Sequence, residues 1–374
     1  MSDRFDPASL KRVVIKVGSS SIIQPDGMVR LGFLGKLATT IAQFHRRGVH
    51  IILVSSGAIA LGRKRLGMDK RPVRIEDKQA CAAAGQMELM SLYQNMLSIL
   101  SLQTGQVLLA RDDLEDRRRY LNARETLGRL MELGVVPIIN ENDSVSVDEI
   151  QFGDNDELSA LVAGLIDADL LVLLTNVGGL YDDNPKTNPN AKLIEIIDRS
   201  PEEYFAYIDD KETALGKGGM RTKLGAAQIC RGFGIPCVIA RSKGSIVEKV
   251  LEGRPVGTYV EPLQCKVCSR NRWLAKAAAA AGGLSLDPGA VEALTKNGKS
   301  LLPRGIVKVE GSFKRGAVLA LTDVKGVEIG RGITRYNSRD LQRIIGKFGN
   351  EIESILGYTF GDCVVRQDDI AFTS

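Results

Sequence analysis

Arg12-Val-Val-Ile-Lys-Val17 runs directly into Gly18-Ser-Ser-Ser21. An almost unbroken apolar run of this length, ending on small polar residues, reads as a strand covered on both faces and closed by a turn. The residues downstream repeat the theme. Leu31 to Arg47 places Leu34, Leu37, Ile41 and Phe44 at helical spacing, with Gly48 just past the end. His50-Ile-Ile-Leu-Val54 is a second strand, closing on Ser55-Ser56-Gly57-Ala58. A long helix is predicted from Asp77 to Leu102, then a strand from Gln106 to Leu109, a helix from Tyr120 to Leu133 and a strand from Val135 to Ile139. Gly153-Asp-Asn-Asp156 opens a helix to Ile166, Leu170 to Leu174 is a strand, and a polar loop runs from Thr175 to Asn190. Gly216-Lys-Gly-Gly219 precedes a helix from Met220 to Arg231, and Cys237 to Ala240 is another strand. Buried strands alternating with amphipathic helices predict an α/β fold: an open, mostly parallel sheet with helices on both faces.

The pattern changes after Trp273. Ala277 to Ala281, stopped by Gly282-Gly283, reads as a linking helix, and beyond it lie short strands at Ile306–Val309, Ala317–Leu321 and Val327–Ile329. The expected organisation is an α/β domain over 1–272, a linker over 273–283 and a small β-rich C-terminal domain over 284–374. A length of 374 residues is consistent with two domains. Met1 to Pro7 has no apolar run and the longest apolar stretches are strand-sized, so neither a signal peptide nor a membrane span is expected. A cytoplasmic location follows as the expectation, and with it reduced cysteines. Cys265-Lys-Val-Cys268 is a lone C-x-x-C, and the only histidines, His45 and His50, lie far upstream. A closed zinc site needs four ligands, so structural bystanders are the favoured reading. The net charge of +5 is spread along the chain and does not by itself imply nucleic acid.

Small and polar residues cluster just beyond strand ends: Gly18-Ser19-Ser20, Ser55-Ser56-Gly57, Asn140 to Ser144, and Thr175-Asn176. In an open parallel sheet that rim is where ligands bind. One such turn could simply end a strand; four on one rim point to a cleft. Neither G-x-x-x-x-G-K-[ST] nor a complete G-x-G-x-x-G is present. The helix start Gly218-Gly-Met-Arg-Thr-Lys223 can still hold phosphate, through free N–H groups and close backbone approach. Lys223 gains nothing from the helix dipole there, and reads on its own equally well as a solvated lysine at an exposed helix start. Lys16 decides between them. A lysine inside a buried strand needs a partner, and a phosphate at the strand tip would supply one. Phosphoryl transfer needs positive charge on the group in flight more than covalent chemistry. A carboxylate acceptor, with a pKa of about 4.3, is already ionised and needs no general base. A chain with two histidines is consistent with that choice.

Five stretches carry a resemblance: Val14-Ile-Lys16-Val-Gly-Ser-Ser20, Val54-Ser-Ser56-Gly-Ala-Ile-Ala60, Ile139-Asn-Glu-Asn-Asp143, Gly153-Asp-Asn-Asp156-Glu-Leu-Ser-Ala160 and Gly218-Gly-Met-Arg-Thr-Lys223. In order and spacing the chain resembles the amino acid kinase superfamily, and within it the glutamate 5-kinases. Ser300-Leu-Leu-Pro-Arg-Gly-Ile306 with Arg335-Tyr-Asn-Ser338 resembles the PUA domain many of these enzymes carry. The resemblance implies ATP-dependent phosphorylation of the γ-carboxylate of L-glutamate to γ-glutamyl phosphate, the first step of proline synthesis. It assigns Lys16 and Lys223 to neutralising the phosphoryl group and Asp156 to holding the lysines. It gives Ser56, Asp143 and Asn155 to the acceptor, with Asp143 facing the α-ammonium. Lys16, Thr175, Asn176, Lys217, Gly218, Gly219, Met220, Arg221, Thr222 and Lys223 would bind ATP, with Mg2+ bridging its phosphates and no residue assigned to the metal. Proline as feedback inhibitor and a homo-oligomeric state are also implied. Two positions depart from the family pattern, both on the nucleotide side: Asn176 where Asp is common, and Lys217 where Thr is common. The alternatives are another acceptor, such as N-acetylglutamate, and an RNA-binding protein acting through the C-terminal domain. Residues 282–374 hold 13 Lys and Arg against 11 Asp and Glu, a weak footprint for RNA.

Overall fold

Val13, Ile15 and Val17 alternate with Val14 and Lys16 along the first strand, and because strand side chains alternate faces, the two sets enter different cores. The computed structural model describes residues 4–24, 27–68, 70, 72–144, 155–185, 187–208, 219–263 and 280–372. The chain forms two units, Met1–Gln264 and Cys265–Ser374. The first is built on an eight-stranded sheet in the order β3-β4-β2-β1-β5-β7-β8-β6. Its strands are β1 (Arg12–Val17), β2 (His50–Ser55), β3 (Gln103–Leu109), β4 (Val135–Glu141), β5 (Leu170–Thr175), β6 (Ile196–Ile197), β7 (Cys237–Arg241) and β8 (Thr258–Val260). Every named pair is parallel except β7 with β8. From β1 the chain builds outward to one side through β2, β4 and β3, then returns to place β5 on the other side. The switch point therefore lies between β1 and β5.

Helices cover both faces, as the sequence predicts. One face packs on α2 (Leu31–Arg46), α3 (Ala58–Arg65), α4 (Ile75–Ser98) and α9 (Ile246–Leu251), together with Val13, Ile15, Ile51 and Leu53. The other packs on α6 (Arg117–Glu132), α7 (Asn155–Leu165) and α8 (Met220–Gly232), together with Val14, Ile52, Val54, Leu171 and Leu173. Lys16 and Thr175 share strand parity with this second set, so both side chains are directed to the α7–α8 face at the carboxyl rim.

Three local readings change. Gly18–Ser21 is not a plain turn: Ser19–Ile22 is a helical turn capped by Gly18. Ser55–Ala58 leads into the helix Ala58–Arg65, which periodicity did not announce, and the following helix ends at Ser98 rather than Leu102. The expected linker over 273–283 falls largely outside the described residues, and Gly283 opens a strand instead of ending a helix. The second unit holds a five-stranded sheet in the order β10-β9-β11-β12-β13, from β9 (Gly283–Leu286), β10 (Ile306–Glu310), β11 (Val318–Thr322), β12 (Glu328–Ile333) and β13 (Ile370–Phe372). Leu284, Leu286, Leu319, Leu321 and Tyr336 centre its core. Short helices at Pro288–Thr295, Ser338–Ile344 and Ile352–Leu356 accompany the expected strands. No helix among the described residues is long and apolar enough to cross a membrane.

Candidate active site

At the switch point β1 delivers Lys16, α7 delivers Asp156 from its first turn, and α8 delivers Lys223 from its own first turn. Their relative exposures are 3%, 0% and 6%. Lys16 Nζ lies 2.7 Å from Asp156 Oδ1, and Lys223 Nζ lies 3.0 Å from Oδ2. Thr222 Oγ1 donates to the same Oδ2 at 2.8 Å, and Ser159 Oγ donates to the Asp156 carbonyl at 2.6 Å. Burial alone would push the Asp156 carboxyl up; the two ammonium groups overcome it and hold the carboxyl far below the usual carboxylate range. Its place in the first turn of α7 acts in the same direction. Two ammonium groups on one carboxylate leave the trio with net positive charge at the rim where a polyanion would arrive.

Lys223 is thus not the solvated side chain its position suggested. The first turn of α8 packs onto the α7 side of the sheet, and the ammonium is buried against Asp156. Likewise Lys16 finds a carboxylate as a partner within the protein, where the sequence alone pointed to a phosphate.

One flank is amide-rich. Asn155 Nδ2 lies 2.9 Å from Ser56 Oγ, 3.2 Å from the Ser55 carbonyl and 3.1 Å from Asn140 Oδ1. Asn140 Nδ2 donates to Gln86 Oε1 at 2.8 Å, and Ser55 Oγ meets Tyr93 OH at 2.9 Å. Burial pushes the Tyr93 phenol pKa up, so it stays a neutral hydroxyl. Gly57 turns the chain between β2 and α3 at φ +111, in the left-handed region that favours glycine. Asp143 is half-buried in the turn that follows β4. Ser56, Asn155 and Asp143 therefore come from the ends of three separate elements.

The other flank is built around the N-terminus of α8. Gly219 caps α8 in extended backbone without a side-chain hydrogen bond, and a helix N-terminus of this kind suits an anion. Thr175 ends β5 and is 8% exposed; its carbonyl accepts from Ser242 N at 2.7 Å and Ser242 Oγ at 3.0 Å. Asn176 is exposed, with Oδ1 3.4 Å from Thr175 Oγ1. Met220 begins the helix, and Arg221 lies over the Phe205 ring, 4.9 Å from its centroid. Lys217 and Gly218 lie outside the described residues, as do Cys265 and Cys268. Gln86 and Tyr93 were missed in the sequence. Their signal is two polar side chains on the stripe of α4 that also buries Leu89 and Leu97.

Comparison with known proteins agrees with this architecture. The model of the amino acid kinase family matches residues 11–241, and that of the PUA domain matches residues 282–356. A protein named glutamate 5-kinase from Geobacter sp. (strain M21) is 43% identical over 362 residues, covering 96% of this chain and 97% of its own. Its namesake from Moorella thermoacetica is 44% identical over 368 residues, covering 98% and 97%. A third, from Shewanella oneidensis, is 45% identical over 361 residues, covering 96% and 97%. Among solved structures, UMP kinase from Ureaplasma parvum aligns with a TM-score of 0.46 at 20% identity, covering 67% of this chain and 99% of that one. With likeness running through both sheets and nearly end to end, the chain belongs to the amino acid kinase family and carries a PUA domain at its C-terminal side.

Proposed function

We propose that the chain transfers the γ-phosphoryl group of ATP to the γ-carboxylate of L-glutamate, giving ADP and γ-glutamyl phosphate at the start of proline synthesis. The observation that carries this reading is the buried Lys16–Asp156–Lys223 trio, set between an amide-rich flank and the N-terminus of α8. The names of the relatives support the choice of acceptor.

The acceptor oxygen is ionised at neutral pH, so no proton has to move before attack. It approaches phosphorus in line; the bond to the bridging oxygen breaks, and that electron pair leaves with ADP. Lys16 and Lys223 neutralise the oxygens of the group in flight, and Asp156 holds the two ammonium groups at a fixed spacing. The N–H groups behind Gly219, with Met220, Arg221 and Thr222, receive the phosphates, and Thr175 and Asn176 line the nucleotide side. Lys217 and Gly218 belong to the same segment. Ser56 and Asn155 hold the acceptor, and Asp143 faces its α-ammonium.

Mg2+ adds further charge neutralisation on the phosphates when bound. Among the described residues no cluster of three or more His, Cys, Asp or Glu could cage a metal, and both Asp156 oxygens face ammonium groups. That fits an ion held mainly by nucleotide oxygens and water. The same reading carries a cytoplasmic homo-oligomer, inhibited by proline competing at or near the acceptor flank. RNA is the weaker partner for the second unit.

An amino-acid screen with ATP and Mg2+ tests the reading, with hydroxylamine trapping any acyl phosphate as a coloured hydroxamate. Glutamate should give strong signal and N-acetylglutamate very little, since acetylation removes the charge that Asp143 would meet. Equal rates with both acceptors, or none with glutamate, would reject it.

A further inference from the structure

The amide chain on the acceptor flank has a fixed direction. The Ser55 carbonyl can only accept a hydrogen bond, so Asn155 must present its NH2 to it. Asn140 then meets Asn155 Nδ2 with its Oδ1, which turns its own NH2 toward α4. Gln86 must answer with Oε1. Each amide sets the next, and none can flip alone without placing like against like.

The consequence is an orphan at each end of the chain. Asn155 Oδ1 and Gln86 Nε2 are both buried without a hydrogen-bond partner. Buried polar groups are ordinarily satisfied, and an exception calls for a physical reason. Asn155 is 9% exposed and sits beside Ser56 and Asp156, so its orphan oxygen is an acceptor kept at the reacting rim. A ligand that brings a donor there, such as an ammonium group, would complete it.

We propose that Gln86 is a positioning residue: by fixing Asn140 it reinforces the orientation in which the Asn155 amide holds Oδ1 for the α-ammonium of the acceptor. This rests on the glutamate kinase reading and adds a determinant of acceptor selectivity. Gln86 itself is separated from Asn155 by Asn140 in this hydrogen-bonded series. Its helix is anchored independently at Tyr93, two turns on, whose hydroxyl meets Ser55 Oγ at 2.9 Å. Loss of the Gln86 amide therefore frees Asn140 to rotate and leaves the Asn155 amide held only by the Ser55 carbonyl and Ser56 Oγ, without releasing the Ser55 loop.

The test uses the full chain and two acceptors, L-glutamate and glutarate, which differ by the ammonium group. Gln86→Met removes the acceptor oxygen at nearly constant volume; Gln86→Asn keeps an amide but withdraws it out of reach. In either variant the ratio of kcat/KM for glutamate to that for glutarate should fall about tenfold. The KM for glutamate should carry the loss, with KM for ATP and kcat within about twofold, a split that general loosening would not produce. Gln86→Glu, which keeps an oxygen facing Asn140, should retain most of the preference. An unchanged ratio in whichever of the first two variants folds would overturn the inference while the kinase reading stands. A native chain unable to phosphorylate glutamate would overturn both.

Discussion

Asp156 has no solvent exposure and two ammonium partners, an arrangement seldom favoured for stability alone. Removing three charged groups from water is costly, and packed apolar side chains would serve the core as well. What the carboxylate does is keep two like charges within reach of one ligand. The consequence for pH follows from the sign of the shift. The folded carboxyl titrates far below its unfolded value of about 3.9, so its contribution is fully present above about pH 4 and is lost as pH falls further. Asp156→Asn leaves two buried ammonium groups without their carboxylate and should lower stability at neutral pH by about 3 kcal/mol or more. The difference in urea midpoint between native and variant chains should hold steady from about pH 8 to pH 5 and narrow below pH 4. A gap that stays constant through the acid range would show that Asp156 is not the titrating partner. The kcat of the variant should also fall by about a hundredfold or more, as it does when a preorganised charge is removed.

The crossing of α3 and α4 sets the acceptor flank at the scale of elements. A Cβ on Gly62 would sit 1.8 Å from the Cys81 carbonyl oxygen, and one on Gly85 would sit 1.9 Å from that of Ala58. Both contacts are with backbone, so relief requires the helices to part. Because Gly57 and Ala58 begin α3 at the rim, parting them moves the Ser55–Ser56 turn as well. Gly85→Ala should cost about 2 kcal/mol or more, read from denaturant midpoints, and should raise KM for the acceptor more than KM for ATP. Normal stability in that variant would rule out the tight crossing. Gly62 also explains why α3 was not legible: eight residues interrupted by a glycine carry little helical signal, because their helicity comes from packing rather than propensity. The parallel strands were legible because burial on both faces leaves an apolar run with little alternation to misread. Lys16 stood out for the same reason, as a charge inside such a run. Its partner was invisible to local pattern. Asp156 lies far along the chain on another element, and only the family resemblance put it beside the lysines. Gln86 and Tyr93 carried a signal too faint to separate from an ordinary amphipathic helix.

At the scale of the molecule, chemistry and appendage divide between two units. The two cores around the large sheet lie within Met1–Gln264, and the third, from Leu284 to Ile370, lies within Cys265–Ser374. Every residue placed in the proposed reaction belongs to the first unit, the last of them being Lys223. A unit with its own closed cores can fold without its neighbour. The cut should fall before Ala281, whose N–H donates to the Val318 carbonyl and so belongs to the second sheet. A chain truncated after Ala279 should therefore remain folded and phosphorylate glutamate at saturating substrate with kcat within about tenfold of the full chain, a loss small beside the hundredfold expected from removing a catalytic charge. Its response to proline and its oligomeric state are free to change, because coupling between units acts on equilibria without touching the reacting atoms. Size-exclusion chromatography and thermal unfolding would establish a single folded species before the hydroxamate assay. A well-folded truncation inactive at saturating substrates would place part of the active site in the second unit, and would end the division between a catalytic sheet and a dispensable one.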